Sequence, residues 1–213
     1  MSASAVKARA ARIVAGLRTL YPDAECELNH KSALQLLVAT ILSAQCTDQR
    51  VNLVTPALFK RYRTSADYAG AAPEELEELI RSTGFFRNKA KAIIGLGREL
   101  VARHNGRVPD SMDDLVRLPG VGRKTANVVL SVWFRQPAIP VDTHVQRLSG
   151  RLELTKETDP VGIELALQKI LPESDWSFAS TALIWHGRRV CVARNPRCDA
   201  CGIRSDCPFP KRR

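Results

Sequence analysis

Apolar residues recur at helical spacing along almost the whole of this 213-residue chain, and this periodicity constrains the fold more than any other feature. Apolar residues three or four positions apart lie on one face of a helix, whereas a half-buried strand requires strict alternation. The sequence contains no alternating segment of useful length, no internal repeat and no low-complexity segment. The pattern therefore predicts an all-α protein.

Capping and helix-breaking residues set the expected helix limits. Ser32 and Gln35 form a possible capping box before an apolar, buried helix over 33–44. Asp48 is expected to cap the next helix, which Pro56 should kink or divide. Pro73 fits the first turn of another helix. Further helices are predicted over 90–101, 111–118, 124–134, 143–152, 160–170 and 176–189.

The first 22 residues contain no acidic side chain and resemble an amphipathic transit peptide. However, Val6, Ala10, Ile13 and Leu17 follow helical spacing, which favours a docked first helix. No apolar run approaches the ~20 residues that a membrane span needs. We therefore expect a cytoplasmic protein.

The chain carries 32 basic and 22 acidic residues, a net charge of +10. The excess is concentrated in two segments, residues 26–136 and the tail from Arg188. Such a balance indicates a polyanionic partner, with nucleic acid ahead of an acidic membrane surface.

Four of the six cysteines lie close together near the C-terminus, at Cys191, Cys198, Cys201 and Cys207. Four thiolates from one short loop suit either zinc or a [4Fe–4S] cluster, and a disulfide pair is the structural alternative. Only one pair is closely spaced, and the outer gaps are long for a zinc ribbon. Cys26 and Cys46 are interpreted as small buried hydrophobes.

Residues 118–126, Leu-Pro-Gly-Val-Gly-Arg-Lys-Thr-Ala, predict a helix–turn–helix hairpin. Gly120 and Gly122 allow positive φ and close approach of another backbone. Free N–H groups at the start of the second helix could hold a phosphate, and Arg123 and Lys124 add positive charge there. An ordinary turn between two helices is the alternative.

Two residues around this hairpin are candidate catalysts. Lys124 lies at the positive end of a helix, which disfavours an ammonium ion and so favours the nucleophilic neutral amine. A phosphate contact is its alternative role. Asp142, 18 residues later, precedes a helical pattern. It is either a functional carboxylate or a helix cap.

Four stretches together resemble the endonuclease III family of the helix-hairpin-helix DNA glycosylase superfamily: 42–48, 118–126, 141–144 and the four-cysteine loop. The resemblance implies two helical domains with a DNA cleft between them. One is a six-helix barrel domain over 26–136 that contains the hairpin. The other combines 1–25 with 137–213 and carries a [4Fe–4S] cluster in the loop 191–207.

The resemblance also implies an activity on double-stranded DNA with damaged bases or abasic sites. A monomer would remove oxidised pyrimidines and cleave the strand 3′ to the lesion by β-elimination. Lys124 would be the nucleophile and Asp142 the catalytic carboxylate, with the four loop cysteines as cluster ligands. The DNA contacts implied are Gln45, Phe85, Phe86, Gly120, Gly122, Arg123 and Arg147.

The residues after Gly84 depart from the better-known family pattern of Leu-Tyr-Asn. Here they are Phe85, Phe86 and Arg87. Either phenylalanine could be the wedge that enters the duplex, or both could pack in the core.

Three other functions remain open at this point. An adenine mismatch glycosylase shares the hairpin and cluster but lacks a lysine at the position of Lys124. A pyrimidine-dimer glycosylase with lyase activity shares every catalytic residue. A non-catalytic iron–sulfur DNA-binding module would keep the basic hairpin without needing Lys124 and Asp142 together.

Overall fold

The computed structural model describes residues 2–212, and their side chains through residue 210. Met1 and Arg213, the outer limits of the predicted domains, lie outside the described residues. The described part is helical, without a strand, which confirms the all-α prediction. Its α-helices are α1 (Ala3–Leu20), α2 (Ala33–Leu42), α3 (Asp48–Arg61), α4 (Ser65–Ala69), α5 (Pro73–Ile80), α6 (Phe86–His104), α7 (Met112–Leu115), α8 (Arg123–Val132), α9 (Thr143–Arg151), α10 (Pro160–Ile170) and α11 (Trp176–Arg189). No described helix is long and apolar enough to cross a membrane.

Side-chain caps fix most helix starts. The Ser32 hydroxyl accepts from the Gln35 N–H at 3.2 Å and begins α2 as predicted. The cap of α3 is Thr47, whose hydroxyl accepts from the Arg50 N–H, and not Asp48. The expected division at Pro56 is also wrong, because α3 continues through it. Pro56 is exposed, so the carbonyl that loses its helical partner there lies at the solvent side.

The short helix α4 is absent from the sequence-based prediction. Thr64 and Asp67 form a capping box in which each side chain accepts from the other residue's backbone N–H. The Thr-x-x-Asp pattern was therefore the available signal. α4 packs tightly on α6, where a Cβ added at Gly97 would come within 2.6 Å of the Ala69 nitrogen.

The chain forms two compact units. The central unit is Cys26–Gln136, and the terminal unit combines Met1–Glu25 with Pro137–Arg213. In the central unit α2 is buried nearly all round and packs against α3, α6 and α8. In the terminal unit α1 packs against α10 and α11. Its core is formed by buried apolar residues that include Ala10, Ile13, Leu17, Ile139, Val145, Leu148, Ile163, Leu167, Ala182 and Leu183.

Candidate functional site

A hairpin in the central unit joins α7 to α8. Two buried residues, Leu118 and Val121, anchor the turn, and the Val121 N–H donates to the Leu118 carbonyl at 3.1 Å. Between them Gly120 has φ +77°, the left-handed region. A Cβ at Gly120 would lie 2.9 Å from the Cβ of Ala92 on α6. Both the turn and its packing therefore require glycine at this position.

Gly122 has a different environment from Gly120. It is the N-cap of α8 in an extended conformation, φ −94°, which any residue can adopt. An added Cβ would meet nothing within 4 Å. The packing within this chain therefore gives no reason for glycine at 122, and the backbone there is open to an outside group.

The N-cap of α8 is Gly122, which makes no side-chain cap hydrogen bond to the helix. Helix N-termini in this state attract anions. Lys124 is the second residue of α8, and both Lys124 and Arg123 are exposed. The hairpin therefore presents glycine backbone, a positive helix end and cationic side chains together.

An open pocket of about 300 Å³ lies beside the hairpin in the central unit. It brings together Gln45, Phe85 and Gly120 from three separate stretches, and Thr125, next to Lys124, also lines it. Asn88, Lys89 and Ala92 of α6 complete one wall. The pocket thus places predicted DNA contacts from distant parts of the sequence around one opening.

Two exposed side chains at this opening come from strained backbone. Gln45 has φ +52° and Phe85 has φ +48°, and Phe85 is 62% exposed. A bulky residue in the left-handed region is a true outlier, and such outliers cluster at functional sites. Phe86 is half-buried, with the guanidinium groups of Arg81 and Arg87 each 5.7 Å from its ring centre.

The sequence analysis did not single out Lys89, although it is a wall of this pocket. Its side chain is buried, and Nζ donates to the carbonyls of Leu42 and Thr83, both at 2.8 Å. Burial lowers the pKa of Lys89. Lys89 follows Arg87 and Asn88 in the first turn of α6, where polar residues are usually exposed, so no pattern in the sequence predicted this burial.

Asp142, in the terminal unit, is the N-cap of α9. Its Oδ1 accepts from the His144 and Val145 N–H groups, both at 2.8 Å. Among the described residues none donates a hydrogen bond to Oδ2. The carboxylate is half-buried. The capping role is therefore real, and it leaves one carboxylate oxygen for another partner.

Arg147 points into the protein. It is half-buried, and Nη2 donates to the carbonyls of Gly187 and Cys191 at 2.9 and 3.1 Å. Nη2 also lies 3.1 Å from His144 Nδ1. Arg147 thus joins α9 to the end of α11 and the cysteine loop. The predicted DNA contact of Arg147 stays a prediction.

The four loop cysteines are half-buried and line one cavity of the terminal unit. Burial, followed by the neighbouring cysteines, raises the pKa of Cys207. Burial likewise raises the pKa of Cys201. Four thiolates around one cavity would repel one another, so holding them ionised needs a cationic centre, which a metal group supplies. No three His, Cys, Asp or Glu side chains in the described residues are arranged to hold a single metal ion.

Hydrogen-bond donors surround the cysteine sulfurs. Arg151 Nη1 lies 3.2 Å from Cys191 Sγ, and His186 Nε2 lies 3.4 Å from Cys201 Sγ. The hydroxyl of Tyr21 lies 2.9 Å from His186 Nδ1. Burial lowers the pKa of His186 to about 4, so the ring is neutral near pH 7. Donors to sulfur are typical of iron–sulfur sites, so these residues fit a cluster.

Cys26 and Cys46 are half-buried and not buried as expected.

Comparison with known proteins agrees with these motifs. The model of the HhH-GPD superfamily of base excision DNA repair proteins matches residues 38–173. Endonuclease III of Synechocystis is 55% identical over 203 residues, which cover 95% of this chain and 93% of that protein. The chain belongs to the endonuclease III family. Endonuclease III of Bacillus subtilis is 48% identical, over 88% of this chain and 86% of that protein.

Solved endonuclease III structures have the same fold. A non-covalent endonuclease III–DNA complex and a trapped endonuclease III–DNA covalent intermediate each align with a TM-score of 0.93, 45% identity and 97% coverage of both chains. Membership of the endonuclease III family makes this chain a base excision repair enzyme, a DNA glycosylase and abasic-site lyase.

Proposed function

We propose that this endonuclease III family member excises oxidised pyrimidines from duplex DNA and then cleaves the abasic strand 3′ to the lesion. The observation that carries the proposal is the position of Lys124. It is exposed in the first turn of α8, next to a pocket that Gln45 and Phe85 also line. The trapped covalent intermediate of a similar endonuclease III with DNA supports a nucleophilic side chain at the site.

The hairpin holds the DNA backbone. Gly122 leaves room for a phosphate to approach the N–H groups of α8, and the helix end attracts its charge. These contacts carry no sequence information, so they suit an enzyme that must search all sequences. Arg123 adds a charge-assisted contact at the same helix end.

The damaged base must leave the stack before its glycosidic bond is reachable. Unstacking costs a few kcal/mol, and less for a damaged base that pairs badly, which gives selectivity. Gln45 and Phe85 fill the vacated space, since both are exposed on strained loops at the pocket. Phe86 supports Phe85 from a half-buried position between two arginines.

Asp142 and Lys124 divide the chemistry. As the base departs with its electron pair, the Asp142 carboxylate stabilises the cationic character left on the sugar. The Lys124 amine forms a bond to the anomeric carbon, and the proton that its nitrogen sheds goes to the departed base, which left as an anion. Opening of the sugar ring gives an iminium. This electron sink acidifies the adjacent carbon, whose deprotonation expels the 3′ phosphate.

We also propose that Cys191, Cys198, Cys201 and Cys207 hold a [4Fe–4S] cluster. Bound there, the cluster would stabilise the loop and could exchange an electron. Arg151 and His186 would donate hydrogen bonds to cysteine sulfur. Zinc is the competing occupant of the four cysteines.

Borohydride trapping tests the proposal. A reductant added during turnover should fuse the protein covalently to abasic DNA. Lys124→Gln should abolish this product and keep duplex binding within about threefold, because one charge among many is lost. Lys91→Gln is the matched control, since Lys91 is also an exposed lysine of the central unit. Undiminished trapping by Lys124→Gln would remove the nucleophile assignment.

The lesion class requires a separate assay. Duplexes containing thymine glycol, dihydrouracil, an abasic site or a thymine dimer separate oxidised-base excision from dimer excision. We propose that the enzyme acts as a monomer on cytoplasmic, nucleoid DNA. Cleavage of the dimer substrate alone would favour the dimer glycosylase.

A further inference from the structure

Lys89 is the one buried lysine of the described central unit, and the chemistry above does not use it. Its side chain is on the first turn of α6 and only 5% exposed. Two of the three ammonium N–H groups donate to the backbone carbonyls of Leu42 and Thr83, each at 2.8 Å. A buried cation held only by carbonyls costs desolvation energy, so its retention calls for a specific reason.

The two carbonyls belong to the segments that lead into the exposed pocket residues. Leu42 ends α2, three positions before Gln45. Thr83 ends the 3-10 turn after α5, two positions before Phe85. A carbonyl at a helix end lacks a helical partner, and a cation there complements the negative helix end. One ammonium group therefore ties together two chain segments that are 41 positions apart.

We propose that Lys89 is a positioning residue for base extrusion, whose ammonium group fixes the Gln45 and Phe85 loops at their mutual spacing beside the pocket. This inference rests on the proposed duplex-filling role of Gln45 and Phe85. Both residues have left-handed backbone, which persists only where the surroundings hold it. Both residues lie at helix boundaries, Gln45 after the end of α2 and Phe85 at the N-cap of α6, and the two carbonyl contacts restrain the segments that lead into them.

As a positioning residue, Lys89 acts in duplex opening and not in phosphate binding or in the lyase step. The hairpin turn is anchored by Leu118 and Val121, which Lys89 does not contact by hydrogen bond. An abasic site in single-stranded DNA needs no residue to fill a duplex. Loss of the ammonium group should therefore impair only the steps that require Gln45 and Phe85 together.

The test uses Lys89→Met, which keeps the apolar stem and removes the donors. The probe is duplex DNA with 2-aminopurine opposite an abasic site, because its fluorescence reports unstacking. At saturating enzyme we expect the fluorescence change to fall at least fivefold, and excision from damaged duplex at least tenfold. Binding to undamaged duplex and cleavage of single-stranded abasic DNA should stay within about twofold of wild type. Lys89→Arg, which keeps a cationic donor, should recover at least half of the fluorescence change.

Ile93→Ala is the matched control. Ile93 is fully buried one turn further along α6, so its truncation destabilises the same helix without touching either carbonyl. If Lys89→Met does not fold, Lys89→Gln replaces it. The inference would be overturned if Lys89→Met gave the same fluorescence change as wild type. It would also be overturned if Ile93→Ala lost as much of the fluorescence change as Lys89→Met. A wild-type protein that cleaves neither duplex nor single-stranded abasic DNA would instead refute the proposed function.

Discussion

At the scale of single residues, the proposed catalytic role of Asp142 would share one carboxylate with a helix cap. Both backbone donors go to Oδ1, so the lone pairs of Oδ2 stay available to the proposed substrate. The cap also fixes the orientation of the carboxylate, which favours catalysis because little reorganisation is needed. The two roles can be separated by substitution.

Asp142→Asn should leave folding intact and remove excision. Asparagine caps helices about as well as aspartate, so we expect the unfolding free energy to change by less than ~0.5 kcal/mol. Loss of the negative charge should lower the rate of base excision about 100-fold or more. Single-turnover release of thymine glycol measures the rate of base excision, and thermal denaturation measures the change in unfolding free energy.

Asp142→Ala provides the contrast, since it loses charge and cap together. It should excise as poorly as Asp142→Asn and be less stable by about 1 kcal/mol. Normal excision by Asp142→Asn would return Asp142 to a purely structural role.

The candidate site residues that the sequence offers are those that stand in recognisable motifs. Lys124 follows two glycines, Asp142 precedes a helix, and the four cysteines have a distinctive spacing. Lys89 could not be predicted, because its importance comes from two carbonyls remote in sequence. Every residue has a backbone carbonyl, so no residue type marks the carbonyls that accept these hydrogen bonds.

At the scale of elements, the hairpin gives a prediction in which stability and binding change in opposite directions. Gly122→Asp introduces a better N-cap and a negative charge at the positive end of α8, so stability should rise by about 0.5 kcal/mol. The same carboxylate would occupy the proposed phosphate position. DNA affinity should therefore fall at least ~10-fold, which corresponds to about 1.4 kcal/mol. Chemical denaturation and duplex titration at fixed salt provide the two measurements.

Gly150→Asp is the control for charge. Gly150 is exposed on α9, and a Cβ there also meets nothing within 4 Å. It should change DNA affinity by less than about threefold, because one remote surface charge is largely screened. Gly120 is unsuitable for this comparison, since any side chain there is strained. Equal loss of affinity in both aspartate variants would contradict a phosphate site at Gly122.

The start of a helix was predictable where a capping residue or a proline in the sequence determines it. Pro160 and Pro73 begin α10 and α5 as expected. Of the kink or division predicted at Pro56, the division does not occur; Pro56 is exposed, and a sequence does not state exposure. The five-residue helix α4 is too short for periodicity to show, and tertiary packing on α6 stabilises it.

At the scale of the whole molecule, each unit has a core of its own and the cysteine loop belongs only to the terminal unit. Purified protein should be yellow-brown with about four irons per chain. Removing the iron should lower the melting temperature of the terminal unit by at least ~5 °C, since ~1 kcal/mol corresponds to 4–8 °C for a domain of that size. Hydrogen exchange should then show lost protection in the loop 191–207, with protection of α2 retained.

Zinc bound by the four cysteines would give a different colour and metal content. Colourless, active protein with one zinc per chain would refute the cluster. Equal loss of protection in α2 and in the loop would show that the two units do not unfold independently.

The chain order of the terminal unit also has a consequence during protein synthesis. The ribosome makes α1 before the central unit, yet Ile13 and Leu17 pack in a core most of whose members follow Gln136. At 5–20 residues per second, roughly ten seconds pass before those partners are translated. Throughout that interval the apolar face of α1 has no native partner, while the central unit emerges as an uninterrupted segment that can fold by itself. The nascent enzyme is therefore expected to assemble from its middle outward.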